Sequence, residues 1–412
     1  MSTQSKGEAR AHQVDSKGEQ KQEKRGGGWD PLLPADSEQD PAISVVMPTM
    51  NEEDGIVECI EDVKSGLKKV GLQGEVIVSD DSEDSTPDLA RENGAIVVEP
   101  EGKGYGHAYR YAFEKTRGEY IVMGDADTTY DFEQIPKLLE PVRNGEAHMV
   151  MGSRLEGEIR DGAMPALHQY VGNPLLTKFL NVFYGAGVSD AHSGFRVFTR
   201  EAYDKMDLTT DGMEFASEMI MEAGANDLTI EERPIVYHER EGDEKLESFQ
   251  DGWRHVRFML LNAPGYLFSV PGLVMGLVGL VLMTLAGSGV AIGAATFGIR
   301  TMIAGSLLTI VGFEVGSFGM LSSIASDPIR EPSDPITRRL RAGATLERGA
   351  IAGTVLFGIG SAYVGYTVVQ WVTGGYSTLP SLLLDVAAFT LVVIGLQTLF
   401  GSFFMSSLAQ QD

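Results

Sequence analysis

The stretch "YIVMGDADTTYD", residues 120–131, sets two carboxylates two positions apart at the end of the apolar run Tyr120–Met123. Side chains two apart on an extended segment point the same way. Asp125 and Asp127 then share one small volume, where mutual repulsion raises a pKa unless a cation neutralises them. The pair is either a solvated turn or the seat of a divalent metal, and the D-x-D spelling alone does not decide.

Around this stretch, short β-branched runs alternate with helical patterns. The runs are "AISVVMPT" (42–49), "EVIVSD" (75–80), "AIVVEP" (95–100), "EYIVMGD" (119–125) and "AHMVMGS" (147–153). Helical patterns cover 53–70, 86–93, 105–116 and 132–143. This alternation predicts an α/β domain, a mostly parallel sheet with helices on both faces. Ligands of such sheets sit beyond the carboxyl ends of the strands. Those ends are Pro48-Thr49, Asp80-Asp81, Glu99-Pro100, Asp125 and Ser153-Arg154.

The glycine run "EGKGYGH" (101–107) follows the third run, not the first, so it is not a dinucleotide fingerprint. A helix starting at 105 could face a phosphate, and a tight turn explains the glycines equally well.

The chain has 412 residues and a formal charge of −25, from 58 acidic and 33 basic side chains. That acidity argues against nucleic acid, which needs a basic footprint, and suits a hydrated surface in a salt-rich cytoplasm. Cys59 stands alone, so an intrachain disulfide and a cysteine-based zinc site are both excluded. Residues 1–40 are polar, broken by GGG and without a signal-peptide core, and are expected to be a disordered tail.

Composition changes near residue 262. Four apolar stretches, about 264–286, 301–324, 350–372 and 381–406, are each long enough to cross a bilayer. The link between the second and third carries Arg330, Arg338, Arg339, Arg341 and Arg348, while the other two links share one arginine. This bias puts the N-terminal domain, that link and the C-terminus on the cytoplasmic side. Residues 247–262 have the pattern of an amphipathic helix at the interface, with Trp253 and Phe258 towards lipid. Glu314 falls within the second stretch, where an ionisable group is a functional candidate or a helix contact.

Taken in order, PTMNEE (48–53), DDSEDST (80–86), GKGYGHA (102–108), GEYIVMGDAD (118–127), GSR (152–154), DAHSGFR (190–196) and YHEREGDEKL (237–246) resemble the family 2 glycosyltransferases of GT-A fold. Within these, the chain is most similar to the polyprenyl- and dolichyl-phosphate hexosyltransferases. The resemblance covers about 42 to 250 and implies a GT-A domain over 41–246, an interfacial helix over 247–262 and a membrane domain over 263–412.

It also implies roles. Pro48, Thr49 and Glu52 grip the nucleotide, and Asp80 or Asp81 holds its base or ribose. Lys103 joins them on the nucleotide-sugar side. Asp125 and Asp127 hold Mg²⁺ or Mn²⁺ on the diphosphate. Arg154 faces a phosphate, and Asp190 and Arg196 belong to the acceptor loop. Arg240 and Lys245 form a basic pair near the lipid phosphate. "DDSEDST" is one residue shorter than the family's usual spelling, which leaves Asp84 without a role.

A phosphate monoester is ionised near neutral pH, with a second pKa of about 6, and requires cations rather than a base. A sugar hydroxyl would require a base within reach, with Asp190 as the candidate. The expected activity is metal-dependent, inverting transfer of a hexose from a nucleotide sugar, UDP-glucose before GDP-mannose, to dolichyl or polyprenyl phosphate at the cytoplasmic face of the lipid bilayer. The product would feed surface glycan or S-layer glycosylation. Rival readings are a hexosyltransferase extending a lipid-linked glycan, and a nucleotide-binding scaffold with a flippase-like membrane half. Whether the chain forms a homo-oligomer is left open.

Overall fold

The computed structural model describes residues 29–240, 248–292, 295–325, 329, 339, 345–376 and 381–408. Strands β1 (Ile43–Thr49), β2 (Gly74–Asp80), β3 (Ile96–Val98), β4 (Tyr120–Met123), β5 (Met149–Ile159), β6 (Arg196–Thr199) and β7 (Ile230–Tyr237) build one sheet, ordered β3-β2-β1-β4-β6-β5-β7. β6 runs antiparallel to both its neighbours, β4 and β5, and the other pairs are parallel.

Alternation along each strand feeds two hydrophobic layers. Ile43, Val45 and Met47 of β1 face helices α1 (Ile56–Val70), α2 (Thr86–Glu92) and α4 (Ile135–Arg143). Val46 turns to the opposite layer, shared with α3 (Tyr105–Phe113), α5 (Asn173–Tyr184), α6 (Arg200–Lys205) and α7 (Phe215–Ala225). Each such side chain, fully buried, stabilises the fold by about 1.5–3 kcal/mol. Cys59 of α1 is buried filler in the first layer.

The five expected strands and four expected helices are present, and this sheet has two strands more than the sequence patterns indicated. β6 has four residues, "RVFT", and its register against β4 and β5 makes it a strand. β7 contains Pro234, which speaks against a central strand; β7 is an edge, where a proline is tolerated. The expected tail over 1–40 is also corrected. Leu32 and Leu33 are buried, and Leu33 N donates to the Gly74 carbonyl at 2.8 Å, so the folded domain includes residues well before 41.

Helix α8 (Ser248–Leu261) is followed by a π-helical turn, Gly265–Ser269, and by α9 (Val270–Ser288), α10 (Ile299–Ala325), α11 (Leu346–Thr373) and α12 (Leu382–Leu408). The last four helices, α9 with its leading turn, are long and apolar enough to cross a membrane. They pair α9 with α10 and α11 with α12 through small residues. A Cβ on Gly272 would strike Gly316, and one on Gly395 would strike Phe357, the close approach that membrane helices use. Ser306 and Thr390 share a hydrogen bond of 2.6 Å between α10 and α12. Glu314 is exposed on α10.

α8 does more than float at an interface. Met259 is buried against the α/β domain, and its carbonyl accepts the Tyr184 hydroxyl at 3.2 Å. Phe183 of α5 stacks on Tyr266 at 4.7 Å between ring centres. Trp253 is exposed, whereas Phe258, expected to face lipid, packs partly against the core. Arg330, Arg338 and Arg341 lie outside the described residues.

Candidate active site

The carboxyl ends of β1, β2 and β4 converge. Thr49 Oγ1 donates to Asp80 Oδ1 at 2.7 Å, and Ser82 Oγ donates to the same oxygen at 2.6 Å. Asp80 is therefore buried and committed, while Asp81 beside it is exposed. The loops after β1 and β2 are stitched together. Asn51 N donates to Ser82 Oγ, and Glu52 N to Thr86 Oγ1. Asp84 accepts from Thr86 N and Oγ1 at 2.9 and 2.5 Å. Burial pushes the Asp84 carboxyl up, but the Thr86 hydrogen bonds outweigh it and hold it below its usual range. The residue that the motif spacing left without a role anchors this junction.

Beyond β4, Asp125 Oδ1 accepts the hydroxyls of Tyr105 at 3.0 Å and Tyr109 at 3.3 Å. Its Oδ2 faces Gly194, where a Cβ would come within 3.0 Å. Thr129 donates to Asp127 Oδ1 from its backbone at 3.2 Å and its hydroxyl at 2.6 Å. Thr128 between them has φ 63°, an outlier for a β-branched residue of the kind that gathers at functional sites. Burial first, and the Asp127 charge second, raise the Asp125 carboxyl to about 7.

Arg240 closes this edge. Tyr237 at the end of β7 bridges to Tyr130, and His238 N donates to the Thr129 carbonyl at 3.0 Å. Those contacts bring Arg240 Nη2 to 2.6 Å from Glu52 Oε1 and Nη1 to 3.5 Å from Asp127 Oδ2. Glu52, Asp127 and Arg240 come from segments far apart in the chain, and only the fold brings them together.

Three expected site residues lie elsewhere in the chemistry. Arg154 does not present its guanidinium to a phosphate: Nε and Nη2 grip the two oxygens of Asp190, each at 2.8 Å. Asp190 is fully buried and also accepts from Arg154 N at 3.0 Å, so it is not a free base. Although burial pushes Asp190 up, the Arg154 charge and hydrogen bonds hold it below the usual carboxylate range. Arg196 is fully buried as well, donating to the carbonyls of Ser193 and Ala191, and braces the 190–196 loop from within. These groups build the loop's frame because buried charges persist only when paired or hydrogen-bonded.

Pro48 is half-buried at the end of β1, and Lys103 is exposed on the loop before α3. The first amides of α3 are occupied by the Asp211 carbonyl, which accepts from Gly106 N and His107 N, so this helix end offers them to no phosphate. Glu218 is buried and accepts from Thr209 and Thr210, holding the segment that delivers Asp211. Lys245 lies outside the described residues. Tyr105 and Tyr109 were not singled out in the sequence; their (i, i+4) spacing on a helix was the available signal.

The donor set suits a hard divalent ion. Asp125 and Asp127 each tie one oxygen to hydroxyl or amide donors, and their other oxygens face Gly194 and Arg240. Among the described residues no group of three or more His, Cys, Asp or Glu could hold a metal. Mg²⁺ and ions like it need only one or two carboxylates and take the rest from phosphate and water.

The family model "Glycosyl transferase family 2" matches residues 44–207. A second, "Glycosyltransferase family 2 C-terminal transmembrane region", matches 325–409. Over 379 residues the chain is 61% identical to the low-salt glycan biosynthesis hexosyltransferase Agl6 of Haloferax volcanii, covering 92% of each chain. It is 34% identical over 212 residues to a dolichyl-phosphate hexose transferase of the same organism, covering 51% of this chain and 89% of that one. It is 27% identical over 256 residues to the dolichyl-phosphate beta-glucosyltransferase of Saccharomyces cerevisiae, covering 55% and 76%.

Proposed function

Because this chain belongs to glycosyl transferase family 2, with a GT-A domain ahead of a four-helix membrane region, we propose that it transfers a hexose from a nucleoside-diphosphate sugar to dolichyl or polyprenyl phosphate. The observation that carries the choice of acceptor is the Arg154–Asp190 pair. A hydroxyl acceptor needs a base, and Asp190, the candidate for it, is locked against a guanidinium. A phosphate monoester arrives already ionised and needs no base.

Within this reading, Thr49, Glu52 and Asp81 line the nucleotide side, and Lys103 reaches it from its exposed loop. Asp125 and Asp127 hold Mg²⁺ or Mn²⁺, which when bound offsets the negative charge gathering on the departing diphosphate. Tyr105, Tyr109 and Thr129 orient the two carboxylates so that no reorganisation is needed when that charge develops. Arg240, on the segment leading to α8, attracts the acceptor phosphate towards the anomeric carbon. A single displacement at that carbon inverts its configuration. The arginine bias of the links puts this chemistry at the cytoplasmic face. Names of the relatives, a glycan-biosynthesis hexosyltransferase and two dolichyl-phosphate hexosyltransferases, support the reading. UDP-glucose is the first donor to try, and surface or S-layer glycan assembly is the destination of the product.

The test is the full chain in lipid nanodiscs with dolichyl phosphate, Mn²⁺ and a panel of radiolabelled nucleotide sugars, followed by mass analysis of the lipid. A dolichyl-phosphate hexose is expected. Transfer only to a lipid already carrying sugar would replace this reading with glycan extension.

A further inference from the structure

The 190–196 loop is tied to α8, the helix that leads into the membrane, through one hydroxyl. Ser217 Oγ of α7 lies 3.3 Å from His192 Nε2 and 3.1 Å from His255 Nδ1. The two imidazoles pack edge to face with centroids 4.8 Å apart. His192 belongs to the loop, His255 to α8, and both Ser217 and His255 are buried. A hydroxyl gives one hydrogen and accepts another, so Ser217 can donate to one ring while accepting from the other. Burial, and then the His255 ring, hold His192 well below the ordinary imidazole range, which keeps it neutral and suited to such a relay.

Among the described residues, His192 Nδ1, Ser193 Oγ and Arg196 Nη1 are buried without a hydrogen-bond partner. Unsatisfied buried groups cost stability, so the loop depends on outside anchors for its position. Several anchors are fixed within the catalytic domain: Arg154 grips Asp190, Glu232 accepts from Ser189 N and Asp190 N, Ala191 N donates to Thr177 Oγ1, and Gly194 N donates to the Tyr130 hydroxyl. The Ser217 bridge differs from these in reaching a helix whose Trp253 and Leu261 are 60% and 54% exposed.

We infer that His255 and Ser217 are positioning residues: α8, seated on the bilayer, sets the acceptor-side loop through the His255–Ser217–His192 bridge. This coupling rests on the reading of 190–196 as the acceptor side, and it would reserve a competent loop for protein docked at its lipid substrate.

The test uses the full chain in nanodiscs containing dolichyl phosphate, with amide hydrogen exchange read over 190–196 and over 74–82. His255→Ala is expected to speed exchange at 190–196 at least tenfold and leave 74–82 unchanged. His255→Asn, which keeps a hydrogen-bonding atom near the Nδ1 position, should return the loop to within threefold of wild type. Ser217→Ala, a smaller change, should match His255→Ala. In turnover, KM for dolichyl phosphate should rise at least fivefold, with KM for the nucleotide sugar within twofold. Unchanged loop exchange in both alanine variants would overturn the inference, as would equal losses at 74–82 or no rescue by asparagine. If wild type glycosylates no dolichyl phosphate, the proposed function fails while the exchange measurement still decides the bridge.

Discussion

Arg154 and Asp190 are joined by a two-pronged ion pair, Nε to Oδ2 and Nη2 to Oδ1, both at 2.8 Å, with the carboxylate fully buried. Arg154 also stands over the Tyr237 ring, 5.3 Å from its centre. Breaking one partner of such a pair costs about 3–5 kcal/mol, because a buried charge is left alone. Asp190→Asn should therefore lower the melting temperature of the detergent-solubilised protein by at least about 6 °C. A variant that melts like wild type yet has lost turnover would return Asp190 to the role of base.

The second expectation concerns the D-x-D pair. Asp125→Asn with Asp127→Asn should abolish Mn²⁺ binding by electron paramagnetic resonance and slow turnover by at least about a hundredfold, in line with the 3–4 kcal/mol that one positioned charge supplies. Chelation of wild type should reproduce the loss, and added Mg²⁺ or Mn²⁺ should reverse it. Gly194→Ala should weaken Mn²⁺ binding too, since its Cβ would crowd Asp125 Oδ2 at 3.0 Å. Wild-type speed in metal-free enzyme would exclude the metal.

Arg240 sits between Glu52 and Asp127, where a divalent ion would feel its charge. Like charges repel, here by about 1 kcal/mol once solvent screening is allowed for. Arg240→Ala should then bind Mn²⁺ several-fold more tightly, while turnover drops about a hundredfold for want of the acceptor's cation. Isothermal titration and a lipid-product assay read the two effects separately; weaker metal binding in the variant would count against this placement.

Asp62, on the α1 face near Asp131 and Glu133, titrates at about 6, raised by burial first and then by those two carboxylates. An unfolded aspartate titrates near 3.9. The folded state thus binds a proton that the unfolded state has released, and stability rises as pH falls from about 6 to about 4. Asp62→Asn should stabilise the protein at pH 7.5 by about 1 kcal/mol once solvent screening is allowed for. The advantage should vanish below pH 4, and thermal melts across that range check it.

The sequence by itself determined the parts of this protein that depend on near neighbours. Strand and helix periods placed β1 to β5 and α1 to α4, run length placed the membrane helices, and the D-x-D spelling marked the two carboxylates at the end of β4. Periodicity and length are local properties, legible wherever a segment forms. Tertiary structure alone decided which charges are free. Arg154, Asp190 and Arg196 read like site residues in the chain, and the fold buries all three in the loop's frame. Arg240, from beyond β7, is carried to Glu52 across 188 positions. β6 and β7 likewise became strands through register with distant partners. The physical reason is the same in each case: burial and pairing are set by residues remote in sequence, and a charged side chain is spelled identically whether it faces water or another charge.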